Sequence, residues 1–204
     1  MNLNEMYFLN SILDDKDILF IPRPPDSEMS MLLLDAVKDG LIKKGLLKSE
    51  TEFTDEGIRY ARRLLNFKEA KKHVRIDNII LGINDQSESV MIIYNPLFED
   101  YDIRVVDSAN SAEQIVESIP FFNYGETSAQ GDSINLGFED FQKRFKLNLW
   151  NHFRLSVWQE HISKDEIYFL NENTLYRYDC IAETLYQECK QHILNCLAER
   201  MVLA

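Results

Sequence analysis

Three residues in the last part of the sequence have types and a spacing that suit metal or thiol chemistry. Cys189, His192 and Cys196 lie in the segment CKQHILNC, so a helix would bring two thiols and an imidazole close to one face. Thiolate and imidazole groups are ligands for a soft metal ion. A fourth ligand is not visible in the sequence, and cysteine is common at buried helix positions. We therefore interpret these residues as core, and we predict no metal site and no cofactor.

No other group of residues matches a catalytic motif. Glu160 and His161 could form an acid–base couple at the end of a strand, but a solvated turn is the simpler interpretation. Ser156 has no nucleophile elbow around it, and the sequence contains neither a Walker loop nor a GxGxxG segment. We therefore predict that the protein is not an enzyme.

Aromatic side chains and an arginine concentrate in the last third of the chain. Strand periodicity predicts that Arg154 and Trp158 share one face of a sheet with Tyr176 and Tyr178. Because Arg, Trp and Tyr are the residue types most enriched at binding hot spots, we predict that these four bind a partner. In the alternative interpretation, the last helix covers this face and makes the same side chains core.

The charge distribution restricts the class of partner. Residues 41–75 contain ten Lys/Arg and five Asp/Glu, a local charge of +5. Because the whole chain carries −12, the remaining residues carry −17. An acidic body disfavours nucleic acids and anionic membranes as partners, whereas the basic segment is the one feature that a nucleic acid could use.

The first residues and the cysteine content favour a cytoplasmic protein. The N-terminal sequence MNLNEMYFLNSILDDKDILF lacks a basic n-region and carries acids throughout, so it does not predict a secretory signal. No apolar run is long enough to span a membrane. The three cysteines are an odd number and are predicted to lie in the last helix as reduced thiols. We predict a cytoplasmic location and no membrane partner.

Hydrophobic periodicity predicts a block of three strands and a helix that occurs twice. The first block consists of the strands Val74–Ile83, Val90–Tyr94 and Ile103–Asp107 and the helix Ser111–Ile119. The second consists of the strands His152–Gln159, Ile167–Leu170 and Leu175–Tyr178 and the helix Ile181–Met201. The two copies share the order of elements and not their residues, which predicts a pseudo-twofold sheet with helices on one side.

The chain length and these elements predict a single α+β domain over residues 1–204. Its antiparallel sheet would be built from the two βββα blocks, between a helical N-terminal segment and a long C-terminal helix. The helical N-terminal segment occupies residues 1–72 and the first block residues 73–120. A loop with a short helix occupies residues 121–149, and the second block occupies residues 150–204. The short helix places Phe138, Phe141 and Phe145 on one face, at positions i, i+3 and i+7.

Residues 28–66 resemble a winged helix. The segment VKDGLIKKGLLKSETEFTDEGIRYARRLL contains a helix that ends in GLI or GLL, a β-like stretch, and T-x-x-G at the start of a helix. Thr54, followed by Asp55 and Glu56, is predicted to cap that helix. The resemblance implies either a nucleic-acid-binding regulator or a protein-interaction module.

A wider resemblance is carried by the segments DGLIKKGLL, RRLLNFKEAKKHVRIDNIILGI, VVDSANSAEQIVESIP and YGETSAQGDSINLGFEDF. With the order of elements, they resemble the EspG-like family of cytosolic chaperones of type VII secretion systems, especially the Firmicute proteins encoded near LXG toxins. The chain departs from the actinobacterial pattern in its acidity and in its second strand block.

This resemblance implies a non-catalytic chaperone or adaptor. The protein would bind a helical secreted substrate of the LXG or WXG type and keep it soluble and export-competent, with the contact around Arg154, Trp158, Tyr176 and Tyr178. Two alternatives stay open: a winged-helix nucleic-acid-binding regulator, and an acidic immunity protein that masks a toxin. The sequence also leaves open whether the chain is a monomer or a homodimer.

Overall fold

The structure, a computed structural model, describes residues 1–14, 16–24, 31–84, 88–107, 115, 119, 131–148 and 150–201. Within them the fold is α+β, with five helices and a large antiparallel sheet, which confirms the predicted class. A helix near each end of the chain is also present as predicted. In the described ranges, every helix is too short or too polar to cross a lipid bilayer. The chain divides into two compact units, and the predicted single domain of residues 1–204 stays a prediction.

The first unit comprises Met1–Ala70, Asn78–Gly82 and Val90–Val105. Its leading elements are α1 Leu3–Leu13, α2 Met31–Lys43, β1 Leu47–Ser49, β2 Glu52–Phe53 and α3 Asp55–Lys68. It also holds most of three adjacent strands in the order β6-β5-β4, which are β4 Ile79–Ile83, β5 Glu88–Asn95 and β6 Asp100–Asp107. One apolar core joins these elements, and its fully buried members include Met6, Leu41, Leu64, Phe67 and Ile92.

Side-chain caps fix where α1 and α3 begin. The Asn2 side chain accepts a hydrogen bond from the Glu5 backbone N–H, and the Glu5 carboxylate accepts one from the Asn2 N–H, both at 2.9 Å. The Thr54 hydroxyl accepts a hydrogen bond from the Gly57 N–H at 3.0 Å, which confirms the predicted cap. Helix, two short strands and a second helix over residues 31–68 follow the order expected from the segment 28–66.

The second unit comprises Lys71–Asp77, Ile83–Ser89 and Val106–Ala204. Its strands lie in the order β3-β8-β9-β10-β11-β7. They are β3 Lys72–Ile76, β7 Ser133–Asn135, β8 His152–Gln159, β9 His161–Asn171, β10 Thr174–Asp179 and β11 Thr184–Glu188. Its two helices are α4 Phe138–Arg144 and α5 Lys190–Arg200.

The predicted strand Val74–Ile83 is wrong, because it is two strands. β3 ends at Ile76 and β4 begins at Ile79, with Asp77 and Asn78 between them. Asp77 has a φ of 48°, a left-handed conformation that Asp and Asn tolerate better than most residues. An Asp-Asn pair inside an apolar run was the turn signal that the sequence interpretation missed.

The predicted long helix Ile181–Met201 is also wrong in its first half. Thr184–Glu188 forms β11, which pairs with β10 and β7, and α5 has only 11 residues. The Asp179 carboxylate accepts hydrogen bonds from the N–H groups of Ile181 and Ala182, which turns the chain back into the sheet. Of the three free cysteines, Cys180 therefore follows β10, Cys189 precedes α5, and only Cys196 lies in the helix.

With these corrections, both predicted blocks contain four strands, β3–β6 and β8–β11. The predicted helix Ser111–Ile119 lies outside the described residues except for Ile115 and Ile119. The two blocks therefore share a run of four strands, whereas the pseudo-twofold relation stays a prediction.

Gly57 in α3 offers a test of how tightly the first unit is packed. A Cβ at this position would lie 1.9 Å from the Leu46 carbonyl oxygen and 2.9 Å from the Phe53 ring. In an exposed helix Ala is favoured over Gly by about 1 kcal/mol. At Gly57 we expect the opposite effect on stability, because the added Cβ has no room. Gly57→Ala should destabilise the protein by about 1–3 kcal/mol in urea denaturation. Arg62→Ala, at an exposed position of α3, should change stability by no more than about 0.5 kcal/mol. A stabilised Gly57→Ala variant would contradict the close approach.

Candidate partner-binding site

The strand register brings the four predicted partner-binding residues to one face of the second unit. Arg154 in β8 lies opposite Ile167 in β9, which lies opposite Tyr178 in β10. Tyr176 lies opposite Phe169 on the same face, and Trp158 follows Arg154 with the alternation of β8. We call this side of the sheet the α4 face, because the aromatic residues of α4 pack against it.

The structure places the two tyrosines differently. Tyr178 is fully buried, stacks on Phe141 with ring centroids 4.1 Å apart, and donates its hydroxyl to the Leu136 carbonyl at 2.9 Å. Tyr176 is half-buried and stacks on Phe169 at 5.3 Å. A partner cannot reach Tyr178 in this arrangement, so we treat it as core. The alternative that a helix covers this face therefore holds at Tyr178, although the helix is α4 and not the last one.

Arg154 and Trp158 lie at the surface, and Arg154 already has a partner. Its guanidinium donates to both oxygens of Asp165, with Nε 2.8 Å from Oδ1, and the Ser156 hydroxyl also lies 3.2 Å from Oδ1. The hydrogen bonds from Arg154 hold the pKa of Asp165 below its usual value. Trp158 is half-buried opposite His73 of β3. Arg154 could therefore bind a partner's acid through the N–H groups that Asp165 does not use, or by exchanging Asp165 for it.

A cavity beside these residues was not predicted as a site. It has a volume of about 240 Å³ and is lined by Phe138, Phe141, Gln142, Phe145, Leu147 and Ile167. We call it the Phe pocket. Phe141 and Phe145 are buried at its base, whereas 38% of Phe138 is exposed. The sequence predicted the helix and its phenylalanine face, but assigned no role to that face.

The sequence around α4 explains why this short helix forms. Glu139 and Asp140 stand in its first turn and Lys143 and Arg144 in its last, which suits the helix dipole at both ends. Phe141 and Phe145 then pack against Phe169, with ring centroids 5.6 and 4.9 Å away. Helix α4 is thus attached to the sheet by aromatic contacts that leave Phe138 at the rim.

The opposite side of the sheet, which we call the α5 face, carries a buried ionic network. Glu166 and Glu188 are fully buried. Glu166 accepts hydrogen bonds from Arg177 at 3.1 Å, from Arg200 of α5 at 3.0 Å and from the Tyr168 hydroxyl at 2.9 Å. Glu188 accepts one from Arg177 at 2.9 Å. The network pairs two acids with two guanidinium groups, as burial of charge requires.

The thiol and imidazole of α5 border this network but do not form a catalytic relay. His192 Nε2 lies 3.4 Å from the Cys196 sulfur and 3.5 Å from Glu188 Oε2. A Cys–His–acid relay needs one ring nitrogen for each partner, whereas here one nitrogen faces both. Burial also raises the pKa of the Cys196 thiol, which disfavours the thiolate. Among the described residues, no group of three or more His, Cys, Asp and Glu side chains is placed to hold a metal ion.

A second cavity, of about 350 Å³, lies in the first unit. Tyr60, Asp100, Asp102 and Arg104 are among the residues that line it. The Asp102 carboxylate is already engaged, because Arg104 and the Tyr60 hydroxyl both donate to it. The cavity therefore offers fewer free hydrogen-bonding groups to a ligand than its size suggests, and the Phe pocket is the better candidate site.

Comparison with known protein families adds one finding. Residues 1–131 match the model of a domain of unknown function, DUF5081. The chain belongs to the DUF5081 family. No curated protein matches it. The matched residues end before α4, so the residues of the Phe pocket lie outside the matched part of the chain.

The Arg154–Asp165 pair predicts a pH-dependent contribution to stability. Because the pKa of Asp165 is lower in the folded state than in the unfolded chain, the pair stabilises the fold above the unfolded pKa. This contribution is lost as the pH falls through the folded-state pKa. We expect Arg154→Gln to raise the pKa of Asp165 in a carboxyl NMR titration. We also expect it to reduce stability at pH 7 by about 0.2–1 kcal/mol, because the pair is partly exposed, and to have no effect on stability at strongly acidic pH.

Arg104→Gln is the matched control for this titration. Arg104 donates to Asp102 in the first unit, so its loss should leave the pKa of Asp165 unchanged. An Asp165 pKa that does not move in Arg154→Gln would refute the assigned cause.

Proposed function

We propose that the protein is a chaperone or adaptor that binds a helical secreted substrate of a type VII secretion system. The observation that carries this proposal is the Phe pocket, an apolar cavity with the partly exposed Phe138 at its rim. The resemblance of the sequence to EspG-like chaperones supplies the class of partner. In this proposal, an apolar side chain of the substrate enters the pocket and is protected from water until export.

The size and lining of the pocket favour a side chain over a small molecule. Pockets for drug-sized ligands have volumes of about 300–1,000 Å³ and several convergent polar groups. The Phe pocket is smaller, at about 240 Å³, and Gln142 is the one polar residue among the six that line it. Amphipathic helices bind by placing apolar anchors into hydrophobic grooves. One or two anchors of a helix would fill a cavity of this kind.

The half-buried side chains next to the pocket extend this surface. Tyr176 lies close to Phe145, with ring centroids 5.8 Å apart, so it borders the pocket. Trp158 and Arg154 lie on the same face of the sheet. In the proposal, Tyr176, Trp158 and Arg154 contact the substrate around the inserted anchor, whereas Tyr178 supports α4 from beneath.

The charges of the first unit weigh against the nucleic-acid alternative. Many cations of residues 41–75 are bound within the unit: Lys44 by Glu5, Lys48 by Glu52, Arg59 and Arg63 by Glu56, and Lys68 by Asp14. Phosphate binding would have to break such pairs or act beside their acids. The basic segment should therefore attract a nucleic acid less strongly than its composition suggests.

Co-expression with an LXG-type protein provides the direct test. The full chain should co-purify with the N-terminal helical region of an LXG-type protein, as a complex of defined stoichiometry in size-exclusion chromatography with light scattering. Binding to the toxin's C-terminal domain alone would support the immunity alternative and contradict the chaperone. Salt-sensitive retention on duplex DNA without binding to the helical region would support the regulator.

Phe138→Asp tests whether the Phe pocket is the contact. Phe138 is partly exposed, and Phe141 and Phe145 hold α4 to the sheet, so the variant should keep its circular dichroism spectrum and fold. A charge at the rim should weaken binding of the helical region by about 30-fold or more in calorimetry, as expected for a hot-spot residue. Ile181→Asp is the control, because Ile181 is 58% exposed in the turn before β11 and is not part of the pocket. Unchanged affinity in a folded Phe138→Asp variant would place the contact elsewhere.

A further inference from the structure

The turn between β5 and β6 presents two large apolar side chains to solvent. Leu97 is 87% exposed and Phe98 is 75% exposed, which makes them two of the three most exposed large hydrophobic residues that the structure describes. Turns of this kind normally carry polar residues or glycine. Neither side chain contributes to the core of the first unit. We call residues 96–99 the apolar turn.

Local features restrict the backbone of the apolar turn. The Asn95 side chain accepts a hydrogen bond from the Leu97 N–H at 3.1 Å, and Pro96 restricts the backbone between them. Glu99 has a φ of 51° and closes the turn into β6 at Asp100. Because these features restrict the turn before binding, presenting Phe98 to a binding site costs less conformational entropy than it would from an unrestrained loop.

We propose that the apolar turn of one copy of this chain inserts Phe98 into the Phe pocket of a second copy. Three of the residues that line the pocket are Phe138, Phe141 and Phe145, and aromatic rings form edge-to-face or offset pairs with an incoming ring. Its volume of about 240 Å³ is suited to one aromatic side chain rather than to a larger ligand.

Charge complementarity selects a second copy as the occupant. The exposed Glu99 follows Phe98 directly, so the ring would enter with an acid beside it. Arg144 and Lys146 flank Phe145 at the far end of α4, and both are exposed. Insertion of Phe98 with Glu99 toward this basic end would place unlike charges opposite each other.

The contact would join two different surfaces, the apolar turn and the Phe pocket. Each copy offers one of each, so association gives either a twofold dimer with two reciprocal contacts or head-to-tail rings and chains. The inserted turn would also occupy the pocket that the proposed substrate needs. Self-association and substrate binding would therefore compete.

Sedimentation velocity of the full chain alone tests this inference. The weight-average mass should rise with concentration for the unmodified protein. Phe98→Asp removes the turn and Phe138→Asp blocks the pocket, so each variant alone should stay monomeric. An equimolar mixture of the two variants retains one intact turn and one intact pocket, and should form a dimer that grows no further. Ile181→Asp should associate like the unmodified chain.

Three results would overturn the inference. The unmodified chain could stay monomeric up to several hundred micromolar. The Phe138→Asp variant could associate by itself, which would mean that turns meet turns or that another surface is used. The mixture of variants could fail to dimerise although both are folded. Each result concerns the chain alone and leaves the co-expression test of substrate binding independent.

Discussion

The second unit depends on a buried carboxylate. Glu166 is fully buried and accepts hydrogen bonds from Tyr168 on its own strand, Arg177 on the next strand and Arg200 on α5. Removing one partner of a buried ion pair costs about 3–5 kcal/mol, because the remaining charge stays buried. This requirement holds α5 against one face of the sheet, where Ile193 and Leu197 become fully buried. The consecutive buried residues 166–169 of β9 show that both faces of the strand are covered at this point.

Helix α4, which covers the other face, is much shorter than strand β9 beneath it, and the Phe pocket follows from that difference. Helix α4 has seven residues, which corresponds to a length of about 10 Å. Strand β9 has 11 residues and extends over about 36 Å. The aromatic contacts of Phe141 and Phe145 seal the centre of the face, but Phe138 at the start of α4 and Leu147 beyond its end are only partly covered. An apolar cavity at the margin of the helix is the result.

Local patterns predicted the elements well, whereas the site depended on register and on a turn. The alternation of apolar and polar residues predicted the bounds of β8, and the spacing of three phenylalanines at i, i+3 and i+7 predicted α4 and its aromatic face. Periodicity predicts a helix over the segment TLYQE, because its apolar residues also fit a helical stripe. The turn at Asp179, which makes the segment a strand, has no signal in that periodicity. Periodicity placed Tyr176 and Tyr178 on one face, but only the position of α4 decides that Tyr178 is core and Tyr176 is half-buried. Sequence spacing carries no information about which short helix covers which strand.

A partly open aromatic site is compatible with a stable fold only if other contacts hold the unit together. Here the ionic network and α5 secure the sheet from the opposite face, and Tyr178, Phe141 and Phe169 secure α4 from beneath. Phe138 can then stay at the rim, because its exposure costs little compared with the burial of the three rings below it. Functional surfaces of this kind are commonly less well packed than the scaffold that carries them. This separation is why exchange of the rim residue is expected to affect binding, whereas exchange of Tyr178 would affect the fold first.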